Sequence, residues 1–210
     1  DLTRACETAV RLREDTPSGC ASVAGITMEG PFFSEKKKGA QNADYLRKPD
    51  TELFHRLQET AQGMIRVACV APELAGAIEY IRSVSETGVT VSAAHTDADY
   101  DQAGAGFKAG ASHVTHLFNA MPPLLHRAPG LIGAAAERED VTAELICDGI
   151  HVHPSAVRAA FKLFGPGRIC LVSDAMAACG LENGESMLGG QKVFVKDGRA
   201  TLADGTIAGS

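Results

Sequence analysis

Three side chains that could bind a metal ion stand at the ends of three separate apolar segments. Glu29 ends "VAGITMEG", His95 ends "VTVSAAH", and His116 lies near the end of "HVTHLF". Two imidazoles and one carboxylate suit Zn²⁺ or another divalent transition metal, with one position left open for water. A single histidine at a strand end is more often a structural hydrogen-bonding residue. Three such residues at one level of neighbouring strands favour a metal site.

A carboxylate also ends the apolar segment "RICLVSDA". Asp174 must there be hydrogen-bonded or lie near a cation, because an isolated charge is costly to bury. Beside a metal-bound water it could accept the proton of that water and later return it to a leaving group. The residues alone leave a second interpretation equally open, in which Asp174 caps the N-terminus of a following segment.

Three further histidines need separate interpretations. In "DGIHVH", Pro154 follows at once and predicts a helix start, so we interpret His153 as structural and His151 as functional. His113 precedes His116 by three positions, which places it on the opposite face of a strand. We therefore expect His113 to be a surface or helix-facing residue.

The acidic run in "HTDADYDQAG" resembles a calcium loop in its alternation. An EF-hand loop needs glycine at its sixth position and glutamate at its twelfth, where this chain has Gln102 and Lys108. We predict instead that the run opens a helix, whose dipole favours acidic residues at its start.

Two segments supply cations near the predicted site. "SEKKKGAQN", from Ser34, is either a solvated loop, the usual role of a charge run, or a turn that closes over an anionic substrate. Arg127, in "HRAPG", carries a guanidinium that matches phosphate geometry with two parallel hydrogen bonds.

The elements that must position these residues alternate between strand and helix. This alternation implies right-handed crossovers and a parallel sheet, with functional residues at the carboxyl ends of the strands. The strand candidates begin at Val23, Met64, Val89, His113, Thr142 and Arg168, and helices are predicted over residues 50–61, 73–87, 99–109 and 154–164.

We predict an α/β fold, an incomplete (β/α)₈ TIM barrel with about six of its eight units. No G-x-G-x-x-G loop supports a dinucleotide fold. The partial barrel is expected over residues 1–180, with two missing strands before Asp1. Residues 181–210 are expected to form a β-hairpin, with its turn at Lys196-Asp197-Gly198, and a substrate-side loop.

The composition excludes several classes of protein. The 210 residues carry a net charge of -6, which does not indicate nucleic acid as a partner, and no apolar run is long enough to span a membrane. The six cysteines form no C-x-x-C pair, so a reducing, cytoplasmic location is expected. Because the chain lacks an initiator methionine and stops within "DGTIAGS", we expect it to be part of a longer protein.

Seven segments together resemble the N-acetylglucosamine-6-phosphate deacetylases of the amidohydrolase superfamily. They occur in family order, cover nearly the whole chain, and are "MEGPFFSEKKKGAQN", "VAPE", "VSAAHTDA", "THLFNAMPPLLHRAPG", "CDGIHV", "LVSDAM" and "GTIAGS". The string "HLFNAM" combined with "LVSDA" is specific to this family.

The resemblance implies a role for each matching residue. It identifies the glutamate and two histidines at the strand ends as metal ligands, Asp174 as the catalytic acid/base, and His151 as the contact to the acetamido carbonyl. Arg127 resembles an arginine that binds phosphate across a homodimer interface. The further substrate contacts that it implies are Ala40, Gln41, Asn119, the backbone of Ala120, Ile207, Ala208 and Gly209.

The chain also departs from the family pattern. Many members have histidine where Gln41 stands, so contacts there are in question. The first barrel strand, which in some members carries histidines for a second metal, is not in this chain. One ion is therefore expected, most simply Zn²⁺, with Fe²⁺, Co²⁺ or Mn²⁺ as alternatives and a second ion left open.

The expected reaction is hydrolysis of the N-acetyl group of N-acetylglucosamine 6-phosphate to glucosamine 6-phosphate and acetate. A dihydroorotase-like or deaminase-like amidohydrolase is one alternative, and a catalytically silent barrel that binds a sugar phosphate is another. A metal-free barrel isomerase is disfavoured because no glycine-rich phosphate loop lies near the last strand.

Overall fold

The computed structural model describes residues 2–210, which form six α-helices and nine β-strands. In chain order these are α1 (Leu2–Glu14), β1 (Ile26–Met28), α2 (Thr51–Thr60), β2 (Ile65–Val70), α3 (Ala77–Ser85), β3 (Thr90–Ala93), α4 (Tyr100–Ala109), β4 (Ala111–Val114), α5 (Gly130–Ala136), β5 (Thr142–Ile146), α6 (Pro154–Phe164), β6 (Ile169–Val172), β7 (Gly184–Leu188), β8 (Gln191–Lys196) and β9 (Arg199–Thr201). Short 3₁₀ turns cover Glu35–Lys37, Ala43–Tyr45 and Pro166–Arg168.

Strands β1 to β6 form one parallel sheet in sequential order, with helices between them. Each strand therefore lies next to the one that precedes it in the chain, as successive right-handed crossovers require. The sheet is a curled part of a (β/α)₈ barrel, which confirms the predicted fold class. Helices α1 and α5 are additional to the predicted elements, and β4 begins two residues before the predicted His113.

The two faces of the sheet differ in polarity. Val70, Ala93 and Val114 are aligned across β2, β3 and β4 and are buried in one cluster with apolar residues of α3, α4 and α5. The helices of a (β/α)₈ barrel form its outer ring, so the opposite face is the barrel interior. That face carries an aligned polar row, which includes Cys69 and Ser92.

His113 lies in this interior row, aligned with Ser92 of β3 and Thr142 of β5. Its Nδ1 lies 2.6 Å from the Thr142 hydroxyl, and its Nε2 lies 3.2 Å from a carboxylate oxygen of Glu144. The prediction of a surface or helix-facing histidine was therefore wrong in position. The alternation of side chains along a strand predicted that His113 and His116 lie on opposite faces. It did not indicate which of the two faces becomes the barrel interior.

Local sequence accounts for the helix boundaries near the site. The side chain of Asp99 caps α4 by accepting from the backbone N–H of Gln102, and the backbone N–H of Asp99 donates to Oε1 of Gln102, so the predicted helix start is confirmed. Pro154 occupies the first turn of α6, and His153 accepts from the Ser155 N–H at its N-cap. His153 is thus a capping residue, which agrees with its predicted structural role.

Strands β7, β8 and β9 form a separate antiparallel sheet. Asp197 and Gly198 join β8 to β9 with positive φ at both positions, the pattern of a two-residue type I′ turn. This confirms the predicted hairpin, while the domain boundary near residue 180 stays a prediction. The sheet packs against the barrel loops through a small apolar cluster, formed by Met176, Ala178, Val193, Ala200, Leu202 and Ala208.

The outer face of β6 is exposed to solvent. Leu171 is 69% exposed, although Leu145, its aligned neighbour on β5, is fully buried. The difference arises because no helix follows β6 to cover it within residues 2–210. None of the helices described is long and apolar enough to cross a membrane.

Candidate active site

The three candidate metal ligands converge at the carboxyl ends of the strands. Oε1 of Glu29 lies 3.0 Å from Nε2 of His95 and 3.1 Å from Nε2 of His116, and the two ring nitrogens are 3.0 Å apart. The residues follow β1, β3 and β4, one or two positions beyond the last strand residue. Sequence alone had placed them within the strand ends.

Three polar residues at this end of the sheet have a left-handed backbone conformation. His95, His116 and Asp174 have φ values of 45°, 35° and 50°. Such values are uncommon for residues other than glycine, and they cluster at functional sites. Histidine and aspartate adopt positive φ more often than most other residues, but their types alone did not indicate this conformation at these positions.

The imidazole of His95 is oriented by contacts on its other sides. Its Nδ1 lies 2.9 Å from the carbonyl oxygen of Lys37, and the Phe33 ring stacks on it with centroids 4.4 Å apart. Because a carbonyl only accepts, Nδ1 carries a hydrogen, and in the neutral ring Nε2 presents a lone pair toward Glu29. A backbone carbonyl that fixes the tautomer in this way is typical of metal-binding histidines.

The electrostatics of the three residues are strongly coupled. Burial would raise the pKa of Glu29, but hydrogen bonds from His116 and His95 hold it far below its usual range. Burial lowers the pKa of His116, but its hydrogen bond with Glu29 outweighs this and raises it overall. The Nδ1 atom of His116 is buried and has no hydrogen-bond partner within the described chain.

This donor set fits a divalent ion. When His95 is neutral, its Nε2 lone pair and the carboxylate oxygen of Glu29 face each other, which is unfavourable unless a proton or a metal ion lies between them. Donors held about 2.0–2.2 Å from a tetrahedral ion stand roughly 3.3–3.6 Å apart. The observed separations of 3.0–3.1 Å need only a small expansion to reach that spacing.

Asp174 lies at the end of β6 and lines the same cavity. Burial, and after it the negative charge of Glu29, raise the pKa of Asp174 above its usual value. Its carbonyl accepts from the N–H of Ser210, whose own carbonyl accepts from the N–H of Met176. No helix begins after Asp174 in the described chain, so the alternative N-cap interpretation was wrong.

His151 lies in the loop that follows β5 and also lines the cavity. Its Nδ1 is 2.6 Å from Oδ2 of Asp148, while Oδ1 of Asp148 accepts from the backbone N–H groups of Ile150 and His151. Sequence reasoning missed Asp148 as a partner of His151. The i, i+3 spacing in "DGIH" was the available signal, with Gly149 permitting the tight turn between them.

A cavity of about 450 Å³ joins these groups. The predicted contacts Ala40, Gln41, Asn119, Ala120, Ile207, Ala208 and Gly209 all line it, together with Gly39, Asn42, Tyr45, Ile146, Ala175, Met176, Leu188, Gly189 and Thr206. The amide nitrogen of Asn119 donates to the carbonyls of His116 and Leu117, which leaves its Oδ1 for a ligand.

Arg127 does not line this cavity. It lies exposed at the tip of a tight turn closed by reciprocal backbone hydrogen bonds between Leu125 and Ala128, each 3.2 Å long. No lysine or arginine side chain lines the cavity within residues 2–210.

The lysines of the segment "SEKKKGAQN" lie outside the cavity lining, whereas its last four residues, Gly39 to Asn42, line the cavity. Nζ of Lys36 lies 3.0 Å from Oδ2 of Asp97. The carboxylate of Glu73 accepts hydrogen bonds from the backbone N–H of Asp97 and from the hydroxyl of Thr96. The segment thus contacts the site through the Lys37 carbonyl, which binds His95, and through Gly39 to Asn42 in the cavity wall.

A model of the amidohydrolase family matches residues 3–201. The chain belongs to the amidohydrolase family. This agrees with the resemblance predicted from the motifs, and members of this family are metal-dependent.

Among named amidohydrolases, the N-acetylglucosamine-6-phosphate deacetylase of Bacillus subtilis (strain 168) is 45% identical over 90% of this chain and 48% of its own length. That of Lysinibacillus sphaericus is 42% identical over 90% of this chain and 49% of its own length. The chain therefore spans about half the length of these relatives.

A solved amidohydrolase structure also superimposes closely. It is the D267A mutant of N-acetyl-D-glucosamine-6-phosphate deacetylase from Mycobacterium smegmatis, in complex with N-acetyl-D-glucosamine-6-phosphate. The TM-score is 0.93 at 38% sequence identity, over 100% of this chain and 54% of that chain.

Proposed function

We propose that the protein containing this chain hydrolyses the acetamide of N-acetylglucosamine 6-phosphate, giving glucosamine 6-phosphate and acetate. The observation that carries the proposal is the convergence of Glu29, His95 and His116 in one cavity with Asp174 and His151. The names of the similar deacetylases support the choice of substrate.

Glu29, His95 and His116 would hold one divalent ion, with Zn²⁺ the best match to two imidazoles and a carboxylate. Fe²⁺, Co²⁺ and Mn²⁺ are the alternatives that the same donors accept. When bound, such an ion supplies a water of lowered pKa and polarises the substrate carbonyl.

Asp174 would carry the proton through the reaction. As the carboxylate it accepts a proton from the attacking water while the oxygen of that water bonds to the acetamide carbon. As the carboxylic acid it returns the proton to the sugar nitrogen when the C–N bond breaks, which releases the amine and acetate. Its raised pKa makes this protonated state easier to reach.

His151 would stabilise the negative charge that develops on the carbonyl oxygen. The free Oδ1 of Asn119 and the backbone of Ala120, Ala208 and Gly209 would orient the sugar. Gln41 lines the cavity where a sugar hydroxyl can accept or donate a hydrogen bond.

The phosphate would be bound by Arg127 of a second copy of the chain in a homodimer. The cavity has no lysine or arginine side chain within residues 2–210, although the proposed substrate carries a dianionic group. Arg127 is exposed at the end of a well-defined turn, where it can reach a neighbouring subunit. Arginine is well suited to bidentate phosphate binding.

Acetate release by the full-length protein tests the proposal. We expect N-acetylglucosamine 6-phosphate to be deacetylated with a kcat/KM at least about 100-fold above that for unphosphorylated N-acetylglucosamine, because charged hydrogen bonds to the phosphate are lost. Asp174→Asn protein serves as the control for contaminating activity. No acetate release from either sugar by metal-loaded protein would reject the proposal in favour of a silent sugar-phosphate-binding barrel.

A further inference from the structure

Asp148 is held more firmly than an ordinary surface carboxylate. Oδ1 accepts the N–H groups of Ile150 and His151, both at 2.9 Å, and Oδ2 lies 2.6 Å from Nδ1 of His151. Both oxygens are therefore occupied by the loop that carries His151. The carboxylate cannot rotate away without losing three hydrogen bonds at once.

The hydrogen bonds also define the tautomer of His151. Burial raises the pKa of Asp148, but hydrogen bonds from the backbone and side chain of His151 and from Ile150 outweigh it and lower the pKa overall. An ionised carboxylate only accepts, so Nδ1 of His151 carries a hydrogen. The imidazole is only 6% exposed, and within residues 2–210 its Nε2 has no protein partner.

This tautomer restricts what His151 can do to an amide substrate. A neutral ring with its hydrogen on Nδ1 presents an electron pair at Nε2, and a carbonyl oxygen also offers only electron pairs. The two groups would repel each other. His151 can donate to the carbonyl oxygen only when Nε2 is protonated as well, which makes the ring a cation.

We propose that Asp148 is a positioning residue that keeps His151 as a cationic donor, with Nδ1–H bound to the carboxylate and Nε2–H directed at the substrate carbonyl. The inference rests on the proposed function, because it needs an amide carbonyl in this cavity. The pair resembles in logic a carboxylate that orients a catalytic histidine and stabilises its charged form.

The charges around the ring agree with this assignment. Asp148 contacts it directly, and Asp174 interacts with it electrostatically across the cavity. Glu29 faces the same cavity, where its charge would be offset by an ion bound with His95 and His116. On the outer side of the loop, Lys196, Asp197 and Arg199 border a groove with Ile150.

The Asp148→Asn variant removes the charge of the His151 ring while keeping the ring oriented toward the substrate. If the amide oxygen stays on the two backbone N–H groups, the amide NH₂ faces Nδ1 of His151 and forces the hydrogen onto Nε2. The ring then remains a donor toward the substrate, but a neutral one. Because charge-assisted hydrogen bonds are roughly twice as strong as neutral ones, stabilisation of the oxyanion should fall.

The experiment compares full-length Zn²⁺-loaded wild type with Asp148→Asn and His151→Ala. We expect kcat to fall about 10- to 100-fold in Asp148→Asn, with KM changed less than about threefold, and about 10²- to 10³-fold in His151→Ala. Asp50→Asn is the matched control, because Asp50 also accepts a backbone N–H but lies at the start of α2. That variant should keep wild-type kcat.

A spectroscopic readout is independent of turnover. In ¹⁵N-histidine-labelled Asp174→Asn protein with bound N-acetylglucosamine 6-phosphate, both ring nitrogens of His151 should be protonated, with the signal assigned by its loss in His151→Ala. A singly protonated ring in this complex, or a kcat decrease below about fivefold in Asp148→Asn, overturns the proposal.

The two proposals fail in distinguishable ways. If wild type releases no acetate, the proposed function fails and the ¹⁵N spectrum alone tests the pair. If wild type is active and Asp148→Asn is equally active, only the role of Asp148 fails. If Asp148→Asn does not fold, the protonation state of the ring in the Asp174→Asn complex decides: a doubly protonated ring supports the role of Asp148, and a singly protonated ring rejects it.

Discussion

Oε1 of Glu29 and Nε2 of His95 lie 3.0 Å apart, although 66 positions separate the two residues along the chain. The contact forms because β1 and β3 flank β2 in one parallel sheet, so their carboxyl ends open on the same rim. When His95 is neutral, both atoms present electron pairs, and they form a stable pair only around a shared positive charge such as a bound metal ion.

Metal content should depend on the histidines at this rim. His95→Ala or His116→Ala should weaken metal binding by more than about 100-fold. Mutation of residues that only hydrogen-bond to metal ligands already lowers metal affinity by about 10- to 100-fold, and loss of a ligand itself should cost more. Elemental analysis of the full-length protein after dialysis checks this. His55→Ala, an exposed histidine on α2, should retain the metal. Undiminished metal in both rim variants would contradict the ligand assignment.

Turnover should depend on the carboxylate of Asp174. Asp174→Asn should lower kcat by about 10²- to 10⁴-fold, because the amide cannot accept and return a proton. Metal content should stay at the wild-type level, as Asp174 is not one of the converging ligands. Acetate release and elemental analysis on one preparation measure both, with the exposed Asp101→Asn on α4 as control. An active Asp174→Asn protein would exclude the proton-carrying role.

Gly209→Ala should disturb Asp174 directly. A Cβ at Gly209 would lie 3.1 Å from the carbonyl oxygen of Asp174, and the residue has φ of 100°. Gly205 has φ of 87° but no atom within 4 Å of an added Cβ. Both alanine variants should lose about 1–2 kcal/mol of folding stability from backbone strain.

Only the Gly209 variant is expected to lower kcat as well, because only its methyl group displaces the carbonyl of Asp174. Thermal unfolding and steady-state kinetics separate the two effects. Equal kcat values in the two variants would show that Asp174 is not held through this loop.

Arg168 should contribute strongly to stability at the opposite side of the molecule from the loops of the site. Its guanidinium donates to carbonyls at the ends of α5 and α6, including those of Ala136 and Phe164, and stacks over the Phe164 ring at 5.0 Å. Arg168→Lys should lower the free energy of unfolding by about 2 kcal/mol, because an ammonium cannot satisfy several carbonyls in one plane. Chemical denaturation measures the loss, and the exposed Arg158→Lys on α6 should show none.

Arg127 should act on the active site of the other subunit. Arg127→Ala and Asp174→Asn proteins should each be nearly inactive toward the 6-phosphate, but mixing and re-equilibrating them should restore about a quarter of wild-type activity. Half of the random dimers are then mixed, and in a two-fold symmetric dimer each of these contains one intact site. No recovery in mixtures that form dimers would place the phosphate contact within one subunit.

The convergence of the candidate metal ligands was predictable from the sequence. Short apolar segments that end in Glu29, His95 and His116 implied parallel strands with a functional rim, because side chains at the carboxyl ends of such strands converge. The cap at Asp99 and the turn at Asp197-Gly198 were predictable for a similar reason, since each depends on hydrogen bonds or φ values within a few residues.

Other features were not predictable, or were predicted wrongly. His113 faces the barrel interior because the sheet curls toward that side, and a period of two residues cannot reveal the direction of curvature. Helix α5 was missed because its N-cap residue is Pro129, which has no side chain that can cap the helix. Lys36 pairs with Asp97 across 61 positions, a contact that the charge run alone did not indicate.

The sequence by itself therefore determined the order of strands and helices, the chemical types at the strand ends and the family to which the chain belongs. These depend on local preferences and on a periodic hydrophobic pattern, which the linear chain contains in full. Tertiary structure alone decided the tautomer of His95 and the convergence of the ligand atoms of Glu29, His95 and His116. It also decided the hydrogen bonds by which Asp148 orients His151. Those features depend on which backbone carbonyls, loops and side chains come within hydrogen-bond distance, and such distances are fixed only when the sheet closes around its core.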